Sequence, residues 1–145
     1  MIREIRYEDL EQLLKLYTQL HDNSMPEQGG AELTAVWAGI LNDKNHHIIA
    51  AEEEGHIISS CVCVIIPNLT RNLRPYALIE NVITDVNYRK KGFASACLDY
   101  ARQIAVKNQC YKMMLLTGSK DAKTLEFYKR AGYNEKDKTA FIQWL

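Results

Sequence analysis

The segment "HHIIAAEEEGHIISSCVCVII", His46 to Ile66, constrains the fold more than any other. Two runs rich in β-branched residues flank Glu54-Gly55, a dipeptide suited to a tight turn, which predicts an antiparallel hairpin. Pro67 closes the second run. After the connecting loop "NLTRNLR", Asn68 to Arg74, comes "YALIENVIT", apolar on both faces apart from Glu80 and Asn81. A strand of that kind belongs in the middle of a sheet.

The flanking segments predict the helices that cover such a sheet. Ile2 to Arg6 alternates as a short strand. Leu10, Leu13, Leu14, Tyr17 and Leu20 then recur at helical spacing behind Glu8, Asp9 and Glu11, acids that suit a first turn. "HDNSMPEQGG", His21 to Gly30, reads as a loop. Leu33, Val36, Trp37, Ile40 and Leu41 mark a second amphipathic helix. A third helix after Gly92 would bury Phe93, Cys97, Leu98, Ala101, Ile104 and Ala105. "YKMMLLT" is a further strand, a helix from about Asp121 to Ala131 ends at Gly132, and "TAFIQWL" is a final strand. The order β-α-α-β-β-β-α-β-α-β describes an α/β (α+β) fold with a mixed, mostly antiparallel sheet and about four helices. No repeat, low-complexity tract or long linker divides residues 1–145, so one domain is expected.

Bulk composition narrows the function. The chain has 145 residues, 47% hydrophobic and 25% charged, with a formal net charge of zero. That balance supports neither nucleic-acid nor membrane-surface binding, so any anion site must be local. No apolar run approaches the roughly 18 residues that span a bilayer. "MIREIRYEDLEQLL" lacks the apolar core of a signal peptide, and a cytoplasmic protein is expected. Cys61 and Cys63 fall on one face of a strand, with Cys97 and Cys110 elsewhere. Without C-x-x-C or zinc spacing, these thiols read as small hydrophobes and no metal is expected. His46 and His47 face opposite sides of a strand and read as non-catalytic.

The local anion site is "RKKGFA", Arg89 to Ala94, where a strand gives way to a helix. A helix N-terminus presents unpaired N–H groups and about half a positive charge. Gly92 lets the backbone approach a bulky ligand, and Ala94 stays small. Several amides and three cations together can hold a diphosphate. The plain alternative is an exposed helix start that happens to be basic. Neither a P-loop nor a three-glycine dinucleotide fingerprint is present, which argues against ATP or NAD.

"VITDVNYRKKGFA" and "FYKRAGY" together resemble the GNAT superfamily of acetyl-CoA-dependent N-acetyltransferases. The first carries the acyl-CoA motif Q/R-x-x-G-x-G/A, the second the later F-Y-x-x-x-G-F/Y motif. The resemblance covers Tyr76 to Tyr133 by motif and nearly the whole chain in element order. More loosely, "LIENVITDVNY" and "CYKMMLLT" look like glucosamine-phosphate N-acetyltransferases and their small bacterial relatives. The resemblance implies acetyl-CoA as co-substrate and direct transfer of its acetyl group to a primary amine. It implies that the main chain of Val82, Ile83 and Thr84 meets the pantetheine arm. Arg89, Lys90, Lys91, Gly92, Phe93 and Ala94 would surround the diphosphate. Thr124 stands where the family often has an Asn touching pantetheine, and its hydroxyl would substitute.

The same resemblance makes Tyr128 the general acid. A phenol of pKa about 10 stays protonated at neutral pH and can donate to the departing thiolate. Packing alone is its bland role. Glu80 is the candidate base: it stands among apolar residues before the coenzyme segment, where burial would make it a better proton acceptor. Its bland role is a structural ion pair with Arg71 or Arg74; many family members use water chains instead. Arg71 and Arg74 suit an anionic acceptor such as an amino sugar phosphate, while Asp22, Glu27 and Glu32 suit a cationic amine. A non-catalytic acyl-CoA-binding module, or acetylation of a protein or peptide amine, is the alternative. The apolar strand "TAFIQWL" adds an expected homodimer edge.

Overall fold

The computed structural model describes residues 1–20 and 30–145. The loop expected at His21 to Gly30, and with it Asp22 and Glu27, lies outside the described residues except for Gly30. Five strands form one sheet in the order β1 (Ile2–Glu4), β2 (His46–Glu53), β3 (His56–Ile66), β4 (Tyr76–Thr84) and β5 (Met113–Leu115). The first four are antiparallel to their neighbours; β4 and β5 run parallel. Helices α1 (Leu10–Tyr17) and α2 (Ala31–Asn42) precede β2, α3 (Phe93–Lys107) connects β4 to β5, and α4 (Ala122–Arg130) follows β5. A parallel neighbour requires a long crossover, and α3 is that crossover.

The hairpin forms as its sequence predicts. Glu54 (φ 50°) and Gly55 (φ 79°) both take the left-handed conformation, which matches the twist of the flanking strands. Alternation along β2 and β3 then sorts side chains to two cores. Ile49, Ala51, Cys61, Cys63 and Ile65 meet Cys97, Leu98, Ala101 and Ala105 of α3. Ile48 and Val62 meet Leu13 of α1 and Trp37 of α2 on the opposite face. The buried thiols behave as hydrophobes: burial pushes Cys63 up to about 12 and Cys97 up to about 11.

Arg3 locks the N-terminal end. Its guanidinium donates to Asp9 at 2.6 and 3.0 Å and to Glu52 at 2.6 Å, joining β1, the turn before α1 and β2. Asp9 also accepts the Arg6 N–H at 2.6 Å. Arg3 holds its carboxyl below the usual carboxylate range.

Two expectations need correction. Val36 does not share the buried face of α2; Trp37 is buried there and Val36 is exposed. The segment "TAFIQWL" forms no strand, and its large apolar side chains stand in solvent. The composition favours a strand, but a strand exists only when paired. The sheet of this chain ends at β5.

Candidate active site

The site begins where β4 outruns its neighbour. Pairing with β5 stops at Ile79 opposite Leu115, while β4 continues to Thr84 with β3 alone beside it. The Asp85 N–H donates to the Ile58 carbonyl at 2.8 Å, and the Ile83 carbonyl accepts the Ser59 hydroxyl at 2.8 Å. Alternation along the strand therefore turns the main-chain groups of Ile83 toward β3 and those of Val82 and Thr84 toward the gap. The gap is an open strand edge inside the sheet.

A bulge lies at the mouth of this gap. Val62 opposes Glu80 and Ser60 opposes Ile83, so Asn81 and Val82 share Cys61 as their partner. Asn81 absorbs the extra residue at φ 50°, in the left-handed region that Asn tolerates better than most residues. The bulge reverses the faces. Glu80 lies beside Val62 on the α1–α2 side, whereas Val82 packs into the α3-side core. Glu80 is also exposed, contrary to the burial its apolar neighbours predict, because β5 has already ended beside it.

Beyond β4, the cation cluster folds as an uncapped helix start. Gly92 is the N-cap of α3 at φ 87°, with no side-chain cap. The N–H groups of the first turn have no helical partner. Lys90 also takes a left-handed conformation, at φ 63°. Arg89, Lys90 and Lys91 are exposed, and among the described residues none of the three forms an ion pair. The Arg89 Nε reaches the Thr84 carbonyl at 3.3 Å, and the Lys91 Nζ lies 4.8 Å from the Tyr88 ring centre.

Asp85 braces the turn. It accepts the Asn87 N–H at 2.9 Å and the Gln19 side-chain amide at 2.8 Å, and Gln19 accepts the Val86 N–H at 3.0 Å. This link between α1 and the turn escaped the sequence reading, because Gln19 and Asp85 are 66 positions apart.

Tyr128 comes from α4. Its ring lies 5.0 Å from Phe127 and 6.3 Å, edge to face, from Tyr133. It packs against the core that contains Val82 and Cys61. Burial, reinforced by Cys61, raises its pKa, so the phenol keeps its proton at neutral pH. Thr124 sits in the first turn of α4, where its N–H and hydroxyl both donate to the N-cap Asp121, at 3.1 and 3.3 Å.

Arg71 and Arg74 are not brought to the cation cluster; they lie at the start of β4, the other end of that strand. Arg74 donates to the Gln109 and Cys110 carbonyls at 3.0 and 3.1 Å, which ties this loop to the segment before β5. The Arg71 guanidinium lies 5.5 Å from the Tyr111 ring centre and lines a cleft of about 330 Å³ with Tyr111, Lys112, Asp137 and Lys138. A second group that sequence reasoning missed is Tyr17. Its buried hydroxyl and that of Ser60 have no hydrogen-bond partner among the described residues. Burial raises the Tyr17 pKa to about 12 while Ser60 and Asn81 pull it down. The only signal was Asn81, a polar residue inside an apolar strand.

Chemically, the open edge can pair with an extended, amide-bearing chain. The helix start and its cations can hold an anion at the end of that chain. The Tyr128 phenol packs against the α3-side core, and the Glu80 carboxylate lies on the opposite side of the sheet. Among the described residues no cluster of three metal-ligating side chains occurs, and no helix is long and apolar enough to cross a membrane.

Comparison with known proteins places this arrangement among relatives. A family model described as "Acetyltransferase (GNAT) family" matches residues 9–133. Glucosamine 6-phosphate N-acetyltransferase of Trypanosoma brucei brucei is 28% identical over 142 residues, covering 94% of this chain and 90% of that protein. A solved structure from Agrobacterium tumefaciens, described provisionally as an acetyltransferase, is 35% identical with a TM-score of 0.90 over 99% of both chains. The aminoglycoside N-acetyltransferase AAC(6')-Iy, solved in complex with CoA, shares the fold at 17% identity, with a TM-score of 0.78 over 100% of this chain and 99% of that one.

Proposed function

Because the chain belongs to the acetyltransferase (GNAT) family, we propose that it works as one domain that transfers the acetyl group of acetyl-CoA directly to a primary amine of a small molecule. The observation that carries this reading is the open edge of β4, which leads into an uncapped helix start whose three cations form no ion pair among the described residues. Pantetheine would lie along Val82 and Thr84 as an added strand does. The diphosphate would sit on the first-turn amides of α3, with Arg89, Lys90 and Lys91 around it. Thr124 already spends its hydroxyl on Asp121, so its part at the pantetheine is secondary.

The residues then divide the proton work. An alkyl ammonium with pKa near 10.4 must lose a proton before it attacks, which costs roughly 4–5 kcal/mol at neutral pH. Glu80, exposed on the α1–α2 face, would take that proton directly or through water. The nitrogen lone pair forms the new C–N bond at the thioester carbonyl and the C–S bond breaks. Tyr128, on the α3 side, would hand its proton to the departing thiolate. A donor and an acceptor on opposite faces let the amine enter and the thiol leave without sharing a path.

An amino sugar phosphate is the acceptor we favour. The Trypanosoma relative carries that specificity in its name, and Arg71, Lys112 and Lys138 outnumber Asp137 in the cleft they line, a balance that suits an anionic group. Calorimetry with acetyl-CoA, followed in the same cell by amines including glucosamine 6-phosphate, tests the reading. Micromolar binding followed by heat of turnover on one amine is expected. Absence of acetyl-CoA binding would overturn it, and binding without turnover on any amine would leave an acyl-CoA-binding module. Tyr128→Phe should retain that binding and lower kcat by about 10²-fold; full turnover would remove the acid role from Tyr128.

A further inference from the structure

We propose that Gln19 is a positioning residue for the coenzyme site. From just past the end of α1 it clamps the turn Val86–Tyr88 and so sets the backbone that carries Arg89 to Gly92. The proposal rests on the acetyl-CoA reading and adds to it a residue outside both sequence motifs. The Gln19 side-chain amide donates to the Asp85 carboxylate at 2.8 Å, and its carbonyl accepts the Val86 N–H at 3.0 Å. One side chain thereby holds two successive residues.

The turn has little else to hold it. Asp85 continues the ladder with β3 through the Ile58 carbonyl, and the chain beyond it leaves the sheet. Val86 donates to Gln19, Asn87 to the Asp85 carboxylate at 2.9 Å and Tyr88 to the Asp85 carbonyl at 2.8 Å. Of these three acceptors, only Gln19 comes from another part of the fold. No residue of Val86–Tyr88 is fully buried, and Val86 is 58% exposed. Hydrogen bonds to Gln19 and Asp85 therefore fix the segment more than apolar burial does. The Asn87 N–H, and after it the Gln19 amide, hold the Asp85 carboxyl below the usual carboxylate range. The contact with Gln19 is thus a hydrogen bond to a charged group, the stronger kind.

Gln19 has the rigidity that a clamp requires. Its own N–H donates to the Leu16 carbonyl at 3.0 Å, and Leu16 is buried with Ala50, Ile57 and Ile83. Tyr88 passes the order forward. Its ring lies 4.8 Å from the Lys91 Nζ and meets Phe93, the first residue of α3, edge to face at 6.3 Å. Between these contacts Lys90 and Gly92 take left-handed backbone. A segment of that kind binds an anion best when its ends are already fixed, because ordering it on binding costs affinity.

Gln12, earlier on the same helix, supplies a control. It grips the hairpin turn in the same manner: its carbonyl accepts the Ile57 N–H at 3.0 Å and its amide donates to the Gly55 carbonyl at 3.3 Å. That turn carries no part of the coenzyme site.

Calorimetry with acetyl-CoA, kinetics on the amine that turns over, and hydrogen exchange resolved along the sequence test the assignment. Gln19→Ala should weaken acetyl-CoA binding about tenfold, as loss of a hydrogen bond to a charged group does. Its KM for acetyl-CoA should rise in step, with kcat unchanged, and the Val86 amide should exchange faster. Gln12→Ala should bind acetyl-CoA as the natural protein does. Gln19→Glu alone should weaken binding, because it sets two carboxylates in contact. Combined with Asp85→Asn, it exchanges donor and acceptor across the 2.8 Å contact and should restore binding. Natural affinity in Gln19→Ala would overturn the proposal. So would an equal loss in Gln12→Ala, or a double substitution as weak as Gln19→Glu. Should Gln19→Ala fail to fold, the double substitution still decides. Absence of acetyl-CoA binding by the natural protein is a different outcome, which would overturn the acetyl-transfer reading and this proposal with it.

Discussion

Asp9 shows how one side chain can hold a terminus in place. It is 4% exposed, meets Arg3 through two hydrogen bonds and caps the Arg6 N–H. Asp9→Asn keeps an acceptor for Arg6 but removes the charge that Arg3 requires, and should destabilise the fold by roughly 2 kcal/mol in urea unfolding. Because Arg3 depresses the folded pKa of this carboxyl, its contribution is complete above the unfolded value of about 4. It disappears as pH falls through the depressed folded value. Acid titration of stability should therefore be steeper for the natural protein than for Asp9→Asn. Equal slopes would mean that Asp9 does not carry the linkage. The pairing was not legible in the sequence. Helical spacing placed Asp9 in a first turn, where an acid needs no partner beyond the dipole, and nothing local announced Arg3 or Glu52.

At the scale of the element, the start of α3 depends on backbone geometry as much as on charge. Gly92 sits at φ 87°, and a Cβ there would meet no atom within 4 Å. The cost of Gly92→Ala is thus conformational, about 1–2 kcal/mol for the left-handed region. It should appear as that loss in urea unfolding together with weaker acetyl-CoA binding. A neutral effect on both would separate the glycine from the helix start. The sequence made this element legible because a glycine after three cations at a strand–helix junction is a local pattern. β4 was legible for the same reason in its extent, Tyr76 to Thr84, but not in its phase. The bulge at Asn81 and Val82 is defined only against Cys61 on β3. An alternation count run straight through it puts every residue beyond Asn81 on the wrong face, while the burial expected of Glu80 came from its apolar neighbours alone. The exposed position of Glu80 follows equally from the early end of β5, a three-residue strand that "YKMMLLT" suggested should run longer.

Across the whole molecule, the layering of helices on both faces of a mixed sheet followed from hydrophobic pattern and element order, since a buried sheet has few other solutions. What failed was the tail, whose β-forming composition gave no information about which edge would receive it. The unfinished seam between β4 and β5 has a measurable counterpart. A ligand that binds only the folded chain at 100 times its Kd should add about 2.7 kcal/mol of stability, a rise of roughly 5–10 °C in Tm. Thermal melts with and without acetyl-CoA check this, and an unchanged Tm at saturating ligand would contradict occupancy of the seam.

Under the proposed function, that seam would also tie the protein's survival to its supply of acetyl-CoA. A sheet left open along half of one central strand yields most easily there, with β5 and α4 as the unit least held by the rest. Proteolysis of transiently opened chains follows the population of the open form. Filling the seam would close that route, so the amount of protein a cell keeps would rise and fall with the metabolite it consumes, before any transcriptional response.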